Sequence, residues 1–190
     1  MSDGELRTFF ALSLPSELAT LCAELEHELA PGARRQQAPV RFLGAAQLHL
    51  TLCFLGSTPR EQVQPLTAAA RELAGLSRPI ELTRGSLTAF PSRQQARVVV
   101  LELADAQHQI ARLAEALASR ALQLGFEGED RRFRPHVTLA RMREPKSVTA
   151  WLPEREVTTM GSFSELVYFA SERRPSGAEY TALARFPLRG

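Results

Sequence analysis

A four-residue string occurs twice in this chain, as His49-Leu50-Thr51-Leu52 and as His136-Val137-Thr138-Leu139. The repetition uses two of the four histidines in 190 residues, and no other feature restricts the fold as tightly. A tetrad of alternating polar and aliphatic residues reads as a strand with one polar and one apolar face. On extended backbone His49 and Thr51 project together, while Leu50 and Leu52 point the other way. His136 and Thr138 stand in the same relation to Val137 and Leu139. Two such strands imply a duplicated unit, because packing alone does not require the same polar pair twice. If a pseudo-twofold relates the copies, two imidazoles and two hydroxyls meet around one small volume.

That set suits displacement at phosphorus. Histidine titrates near neutrality, so one ring can take a proton from the nucleophile while the other protonates the leaving oxygen. Threonine hydroxyls can donate to the non-bridging oxygens and orient the phosphorus. In-line displacement needs base and acid on opposite sides, which a duplicated strand supplies. The symmetry of the motifs does not decide which histidine takes which role. A zinc site normally draws three or four protein ligands, and neither tetrad has a carboxylate or cysteine at useful spacing. We therefore expect no metal. His27 and His108 fall on predicted helices without such a partner and are expected at the surface.

The elements around the tetrads repeat as well. Arg7–Leu14 reads as a strand, and Pro15 opens a helix whose Leu18, Leu21, Leu25 and Leu29 keep helical spacing until Pro31-Gly32 stops it. Short strands follow at Val40–Leu43 and Leu48–Phe54. Thr58-Pro59-Arg60-Glu61 has the form of a capping box, with a helix to about Leu73 that kinks or starts late at Pro65 and ends at Gly75. Ile80–Phe90 is extended, with a break at Gly85. Ala96–Leu103 is the clearest strand. Asp105 can then cap a helix carrying Ile110, Leu113, Leu117 and Leu124, closed by Gly125. A strand at His136–Arg141, a short helix at Pro145–Leu152, and strands at Val157–Met160, Leu166–Ala170 and Tyr180–Phe186 complete the reading. Both halves run strand, long helix, short strand, helix, strand, so the expected class is a duplicated α+β unit. Residues 1–190 form one domain of two pseudo-symmetric lobes. The first repeat covers about 5–90 and the second about 91–190, with strands free to exchange.

Composition adds one positive signal. The net charge is only +2, yet Lys146 is the sole lysine among 23 basic residues. The arginine fork matches phosphate oxygens two at a time. Arg131, Arg132, Arg134, Arg141 and Arg143 crowd the second tetrad and make a candidate anion site. Arg134 lies two residues before His136, and Pro135 favours extended backbone there. Arg134 is therefore a candidate phosphate or nucleotide contact. Cys53 continues the face of His49 and Thr51 and is expected to pack at the end of the cleft. Phe9, Phe10, Phe54 and Phe90 have the chemistry to stack a base, but core packing is the better expectation for each. Cys22 and Cys53 are too few for a disulfide framework. No apolar run reaches the length of a membrane span, and the N-terminus has no signal-peptide pattern, so a soluble cytoplasmic protein is expected.

The doubled H-x-T-x motif resembles the signature of the two-histidine phosphoesterase superfamily. Within it the chain resembles the RNA 2′,3′-cyclic phosphodiesterases, also called 2′-5′ RNA ligases. The likeness runs through RTFFALSLP, LHLTLCFLG, AFP with ARVVVLEL, RFRPHVTLAR, and a tail with Gly177, Tyr180 and Phe186–Leu188. It implies a bilobal α+β fold with two antiparallel sheets facing a central cleft and helices on the outer faces. The implied reaction opens a terminal 2′,3′-cyclic phosphate to a 2′-phosphate without metal, nucleotide or other cofactor, in some relatives with reversible 2′-5′ joining. The implied roles are His49 as proton donor, His136 as proton acceptor, and Thr51 and Thr138 as phosphate ligands. The implied partners are RNA ends, tRNA ends among them, or small cyclic nucleotides, with no membrane, no protein partner and a monomeric chain. The same chemistry would serve another cyclic phosphate or a 2′-5′ oligonucleotide. A non-catalytic RNA-end-binding module is the contrasting class, and it would not need two matched proton carriers.

Overall fold

A computed structural model describes residues 5–128, 132–159, 161–174 and 177–190. The described residues form eleven strands and three helices in the order β1 (Glu5–Leu12), α1 (Ser16–Arg35), β2 (Val40–Phe42), a 3-10 turn (Ala45–Gln47), β3 (Leu50–Pro59), α2 (Arg60–Leu76), β4 (Ile80–Glu81), β5 (Arg84–Phe90), β6 (Ala96–Leu103), α3 (Gln109–Gln123), β7 (His136–Lys146), β8 (Arg155–Thr158), β9 (Ser162–Phe163), β10 (Glu165–Arg174) and β11 (Gly177–Pro187). The fold is α+β. A four-stranded sheet runs β11-β10-β1-β3 and a five-stranded sheet runs β2-β7-β6-β5-β8; both are antiparallel, and β4 and β9 form a separate ribbon. Each main sheet draws on both halves of the chain. The four-stranded sheet holds the first motif together with the C-terminal strands, and the five-stranded sheet holds the second motif together with β2 and β5. Helices α2 and α3 pack on the four-stranded sheet and α1 on the five-stranded one, leaving the opposite faces to meet at a cleft.

The amphipathic pattern explains the packing. Leu18, Cys22, Leu25, Leu29 and Ala33 form the buried stripe of α1. That stripe passes the expected stop at Pro31-Gly32 and reaches Arg35. Proline removes one helical hydrogen bond, but burial of Ala33 continues the apolar stripe beyond it. Gly32 acts in packing, since a β-carbon there would come within 3.3 Å of Trp151 Cβ. The expected capping box at Thr58 does not form: Pro59 is the N-cap of α2 and no side chain caps it. Thr58 is instead buried in the sheet, with its hydroxyl 2.7 Å from that of Thr8. Helix α2 starts ahead of Pro65 and ends one residue beyond Gly75. Asp105 caps α3 as expected, its carboxylate accepting from the amides of Ile110 and Ala111 at 3.2 and 2.8 Å. At the other end Gly125 adopts φ +88, while the amides of Phe126 and Gly125 bond back to the carbonyls of Ala121 and Leu122. This is the paired bonding of a left-handed helix terminus.

Two further expectations are corrected. No helix forms at Pro145–Leu152, because β7 runs on through Lys146, which pairs with Ala96. A single turn follows, with the Val148 carbonyl accepting from Trp151 and Leu152. The strand expected at Val157–Met160 ends at Thr158, and Met160 lies outside the described residues. The break expected at Gly85 falls at Leu82-Thr83 instead. Gly85 sits inside β5, where a β-carbon would lie 2.8 Å from Leu101 Cδ1 and 3.0 Å from the Glu102 carbonyl oxygen. Because one obstacle is backbone, no rotamer change relieves it. Gly85→Ala should therefore cost about 1–3 kcal/mol of stability, read as a lower urea midpoint with an unchanged slope; an unchanged midpoint would show that β5 and β6 can part without cost.

Candidate active site

The two motif strands supply the facing walls of the cleft. Thr51, Leu52 and Phe54 come from β3, and His136, Thr138 and Arg141 from β7; together with Phe90, Arg97 and Phe133 they line a chamber of about 800 Å³. A second chamber of about 220 Å³ adjoins it, lined by His49, Arg7, Arg173, Ser171 and Tyr180, and it shares Thr51, Phe54 and Arg141 with the first. His49, Thr51, His136 and Thr138 are therefore brought to one continuous cleft.

Each histidine is fixed in the same way. His49 stands just before β3, and its Nδ1 lies 2.9 Å from the carbonyl oxygen of Gln47. His136 opens β7, with Nδ1 2.7 Å from the carbonyl oxygen of Arg134. A carbonyl can only accept, so Nδ1 carries the proton in both rings and Nε2 is the nitrogen left to exchange one. Gln47 anchors the first of these holds. Its side-chain amide donates to the Ala178 carbonyl at 2.6 Å and its oxygen accepts from Arg41 at 3.1 Å. The turn before His49 is thus tied to β11 and to β2.

Aromatic rings pack against both imidazoles. The His49 ring lies 5.0 Å from Phe9, 4.9 Å edge-on from Tyr180 and 6.1 Å from Phe169. The His136 ring meets Phe90 edge-on at 5.1 Å. Burial pushes His49 down from 6.5 to about 4; the Gln47 bond opposes the shift, while the charges of Arg141 and His136 add to it. His136 is also pushed below its ordinary value, chiefly by burial. The Arg134 carbonyl and the Glu102 charge oppose that shift, and the guanidiniums of Arg134 and Arg141 reinforce it. The protein's own groups therefore leave both rings neutral at pH 7.

A register shift explains what strict alternation misses. Thr51 pairs with Ala11 and Cys53 with Phe10, so Leu52 is an extra residue in β3. Thr138 pairs with Val100 and Ala140 with Val99, so Leu139 is an extra residue in β7. Both tetrads are bulged at their final leucine. A bulge shifts the alternation by one residue, and the cleft face then continues through Phe54 and Arg141, each five residues after its histidine. Cys53 therefore does not line either chamber, contrary to its expected place on the histidine face. The equivalence of Phe54 and Arg141 was readable in the spacing from the two histidines, but only once the matching bulges are known.

Phe9 and Phe10 are buried, as expected for core residues, though Phe9 also packs on the His49 ring. Phe54 and Phe90 instead line the cleft. Arg134 lines it too, but its guanidinium pairs in bidentate fashion with Glu102 at 2.7 and 2.6 Å and lies 4.2 Å from the Phe90 ring centre. Of the arginines expected near the second tetrad, Arg132 and Arg141 also line the cleft; Arg143 does not, and Arg131 lies outside the described residues. No acidic side chain lines either chamber among the described residues. His27 is exposed on α1, and His108 is exposed at the N-cap of α3. Cys22 is buried and its thiol is pushed up to about 12 by that burial and by Glu26. No group of three or more His, Cys, Asp or Glu side chains forms a metal-binding cluster among the described residues, and no described helix is long and apolar enough to cross a membrane.

Twin histidine–threonine pairs on two facing antiparallel sheets define a protein of the two-histidine phosphoesterase type. Residues 14–162 match the family model of the 2′-5′ RNA ligase superfamily, and the chain belongs to that family. It is similar to the RNA 2′,3′-cyclic phosphodiesterase of Thermus thermophilus, with 32% identity over 97% of this chain and 91% of the relative. It is also similar to the Escherichia coli protein of the same name, with 31% identity over 99% of both chains. Among solved structures, one from Thermus thermophilus superposes with a TM-score of 0.82 at 29% identity, over 97% of this chain and 99% of that one. E. coli LigT complexed with 3′-AMP gives 0.71 at 27% identity, over 98% and 99%.

The shift at His49 links acidity to stability. The unfolded chain takes up this proton near pH 6.5, whereas the folded chain does so only near pH 4. The unfolded state therefore binds more protons between those values, and stability falls as pH drops through that window. A ¹³C or ¹⁵N titration of the ring should give a His49 midpoint near 4 with Nδ1 protonated throughout, and His49→Gln should flatten the loss of urea resistance between pH 6.5 and 4. A His49 midpoint at 6.5 would mean that the aromatic collar does not exclude water.

Proposed function

We propose that this chain hydrolyses RNA 2′,3′-cyclic phosphate ends to 2′-phosphates by two-histidine acid–base catalysis, with reversible 2′-5′ joining as the same displacement of the 3′ oxygen by a 5′-hydroxyl in place of water. The observation that carries this reading is the pair of histidines in one cleft, each with Nδ1 held by the carbonyl two residues before it and Nε2 left for proton transfer. The names of the Thermus and E. coli relatives support the substrate class. The reading extends to small cyclic nucleotides and to tRNA ends, and to a chain that acts as a cytoplasmic monomer. We read it as one domain of two lobes, from repeats at about 5–90 and 91–190 with exchanged strands.

In this mechanism His136 takes a proton from water and His49 gives one to the departing 3′ oxygen. The cyclic phosphodiester carries one negative charge, and hydroxylic attack adds charge to its non-bridging oxygens. Thr51 and Thr138 donate to those oxygens, and the Arg141 guanidinium, shared by the two chambers, balances the charge. Arg134 contributes to the nucleotide side of the site, held in place by Glu102 and Phe90. For His49 to act as a donor it must be protonated, and its surroundings oppose this. The substrate's anion supplies the compensating charge, because a negative neighbour favours the imidazolium. Glu102 makes His136 the easier ring to charge, so the assignment of roles depends on the bound phosphate. No step requires a metal ion, and activity should survive excess chelator.

His49→Ala and His136→Ala should each lose on the order of 10²–10⁴ in rate with the fold intact, measured on a cyclic-ended oligonucleotide. Full activity in either variant removes that residue from the mechanism. Replacing the bridging 3′ oxygen by sulfur separates the roles, since a thiolate with a pKa near 8.5 leaves with little help from an acid. His49→Ala should recover much of its rate on that substrate and His136→Ala should not; recovery in His136→Ala alone would reverse the assignment.

A further inference from the structure

The two chambers differ in size and chemistry, and the difference fits the two ends of a nucleotide. In ribose the C5′ carbon hangs on C4′, which is bonded to C3′, while the base hangs on C1′, which is bonded to C2′. If the 3′ oxygen faces His49, as the proposed mechanism requires, the 5′ side of the sugar projects past His49 and the base projects toward His136. The chamber on the His136 side is the larger, about 800 Å³, and carries Phe90, Phe133 and Val98. It offers the apolar and aromatic surface a base can stack on. The chamber on the His49 side is about 220 Å³ and carries Arg7, Arg141, Arg173, Ser171 and Tyr180 without any carboxylate among the described lining residues.

Three arginines in so small a volume need an anion to balance them. Arg141 serves the reacting phosphate from its position between the chambers. Arg7 and Arg173 remain. Arg7 is held 4.5 Å from the centre of the Phe54 ring, and neither arginine is paired with a carboxylate among the described residues. Their neighbour Arg174 differs in this respect, being paired with Glu172 and Glu179. Arg134 on the far side has its fork taken by Glu102. Arg97 and Arg132 on that side are spread through about 800 Å³, whereas Arg7, Arg141 and Arg173 share about 220 Å³, so the unpaired positive charge is densest on the His49 side. We propose that this chamber binds the 5′-phosphate of the nucleotide that carries the cyclic phosphate, with Arg7 and Arg173 as its ligands. In an RNA chain that group is the last internucleotide phosphodiester. The protein would then hold two phosphates one ribose apart and prefer chain ends, or 5′-phosphorylated nucleotides, over a nucleoside cyclic phosphate. The inference rests on the proposed function, because the placing of the 3′ oxygen at His49 orients the sugar.

Calorimetry with two product-like ligands tests the subsite without turnover. Adenosine 2′,5′-bisphosphate should bind roughly tenfold to a hundredfold more tightly than adenosine 2′-phosphate at low salt, the gain expected of one charge-assisted phosphate contact. The ratio should shrink with added salt. It should also fall several-fold in Arg173→Gln and in Arg7→Gln, while Arg97→Gln, across the cleft, should keep it. The same ratio should appear in kcat/KM for adenosine 2′,3′-cyclic phosphate with and without a 5′-phosphate. A binding ratio near one in the unmodified protein, or a ratio that survives both Arg7→Gln and Arg173→Gln and disappears in Arg97→Gln, would overturn the proposal. If the binding ratio is as expected but neither cyclic substrate is hydrolysed, the subsite stands and the proposed catalysis fails.

Discussion

The site depends on a hydrogen bond made twice, from a histidine Nδ1–H to the carbonyl oxygen two residues earlier. It fixes the ring against its own strand and assigns the tautomer, so Nε2 is the exchanging nitrogen whatever the charge of the ring. Each hold needs a carbonyl in a set position, and the two lobes supply it differently. Before His49 a 3-10 turn brings the Gln47 carbonyl round, and the Gln47 side chain ties that turn to β2 and β11. Before His136 the backbone is set by Pro135, which disfavours helical geometry at Arg134, and the Arg134 side chain is anchored on Glu102 and Phe90. Both anchors cross between strands, so the two imidazoles are positioned by the packing of the sheets.

A second shared constraint is the burial of the aliphatic half of each motif. Leu50, Leu52, Val137 and Leu139 are all buried, Leu52 least completely. The bulges at Leu52 and Leu139 let each strand bury its leucine and still turn a later residue to the cleft. Without the shift Arg141 would face away from Thr138, and its charge would be lost to the other side of the sheet. Burial also sets the electrostatics. The same rings that hold His49 in place depress its affinity for a proton.

Much of this was legible in the sequence. The tetrads marked both motif strands and their polar faces, because period-two alternation is local. The long helices were visible for the same reason, through the spacing of Leu18, Leu25 and Leu29 or of Ile110, Leu113 and Leu117. What was not legible depends on partners far along the chain. Thr58 reads as a helix cap, but its hydroxyl is engaged by Thr8 across the sheet. Gly32 reads as a stop, but it makes room for Trp151. Pro145 reads as a helix start, but β6 extends the ladder past it. Arg141 and Phe54 belong to the cleft because of bulges, and a bulge is set by the partner strand. Arg134 was expected at the cleft from its spacing alone; its bond to Glu102 comes from the register that sets Glu102 opposite His136.

Duplication explains why two histidines face one volume, but identical units could not divide the labour of acid and base. The chain breaks the symmetry outside the tetrads. Position five after each histidine is Phe54 in one lobe and Arg141 in the other, so one lobe contributes an aromatic wall and the other a cation. His49 is enclosed by three rings, whereas His136 meets one ring and has a carboxylate on the adjacent strand. Environments that push two like groups apart in pKa are how a pair of equal residues acquires unequal roles. Here the separation also responds to charge. Arg141 acts on both rings and opposes the proton on each, so an anion that neutralises Arg141 removes a penalty common to both. The ring with the larger unmet demand, His49, then gains most from an anion seated beside it. Under the proposed assignment, with His49 as the donor, its proton loading is thereby tied to occupancy by a phosphate.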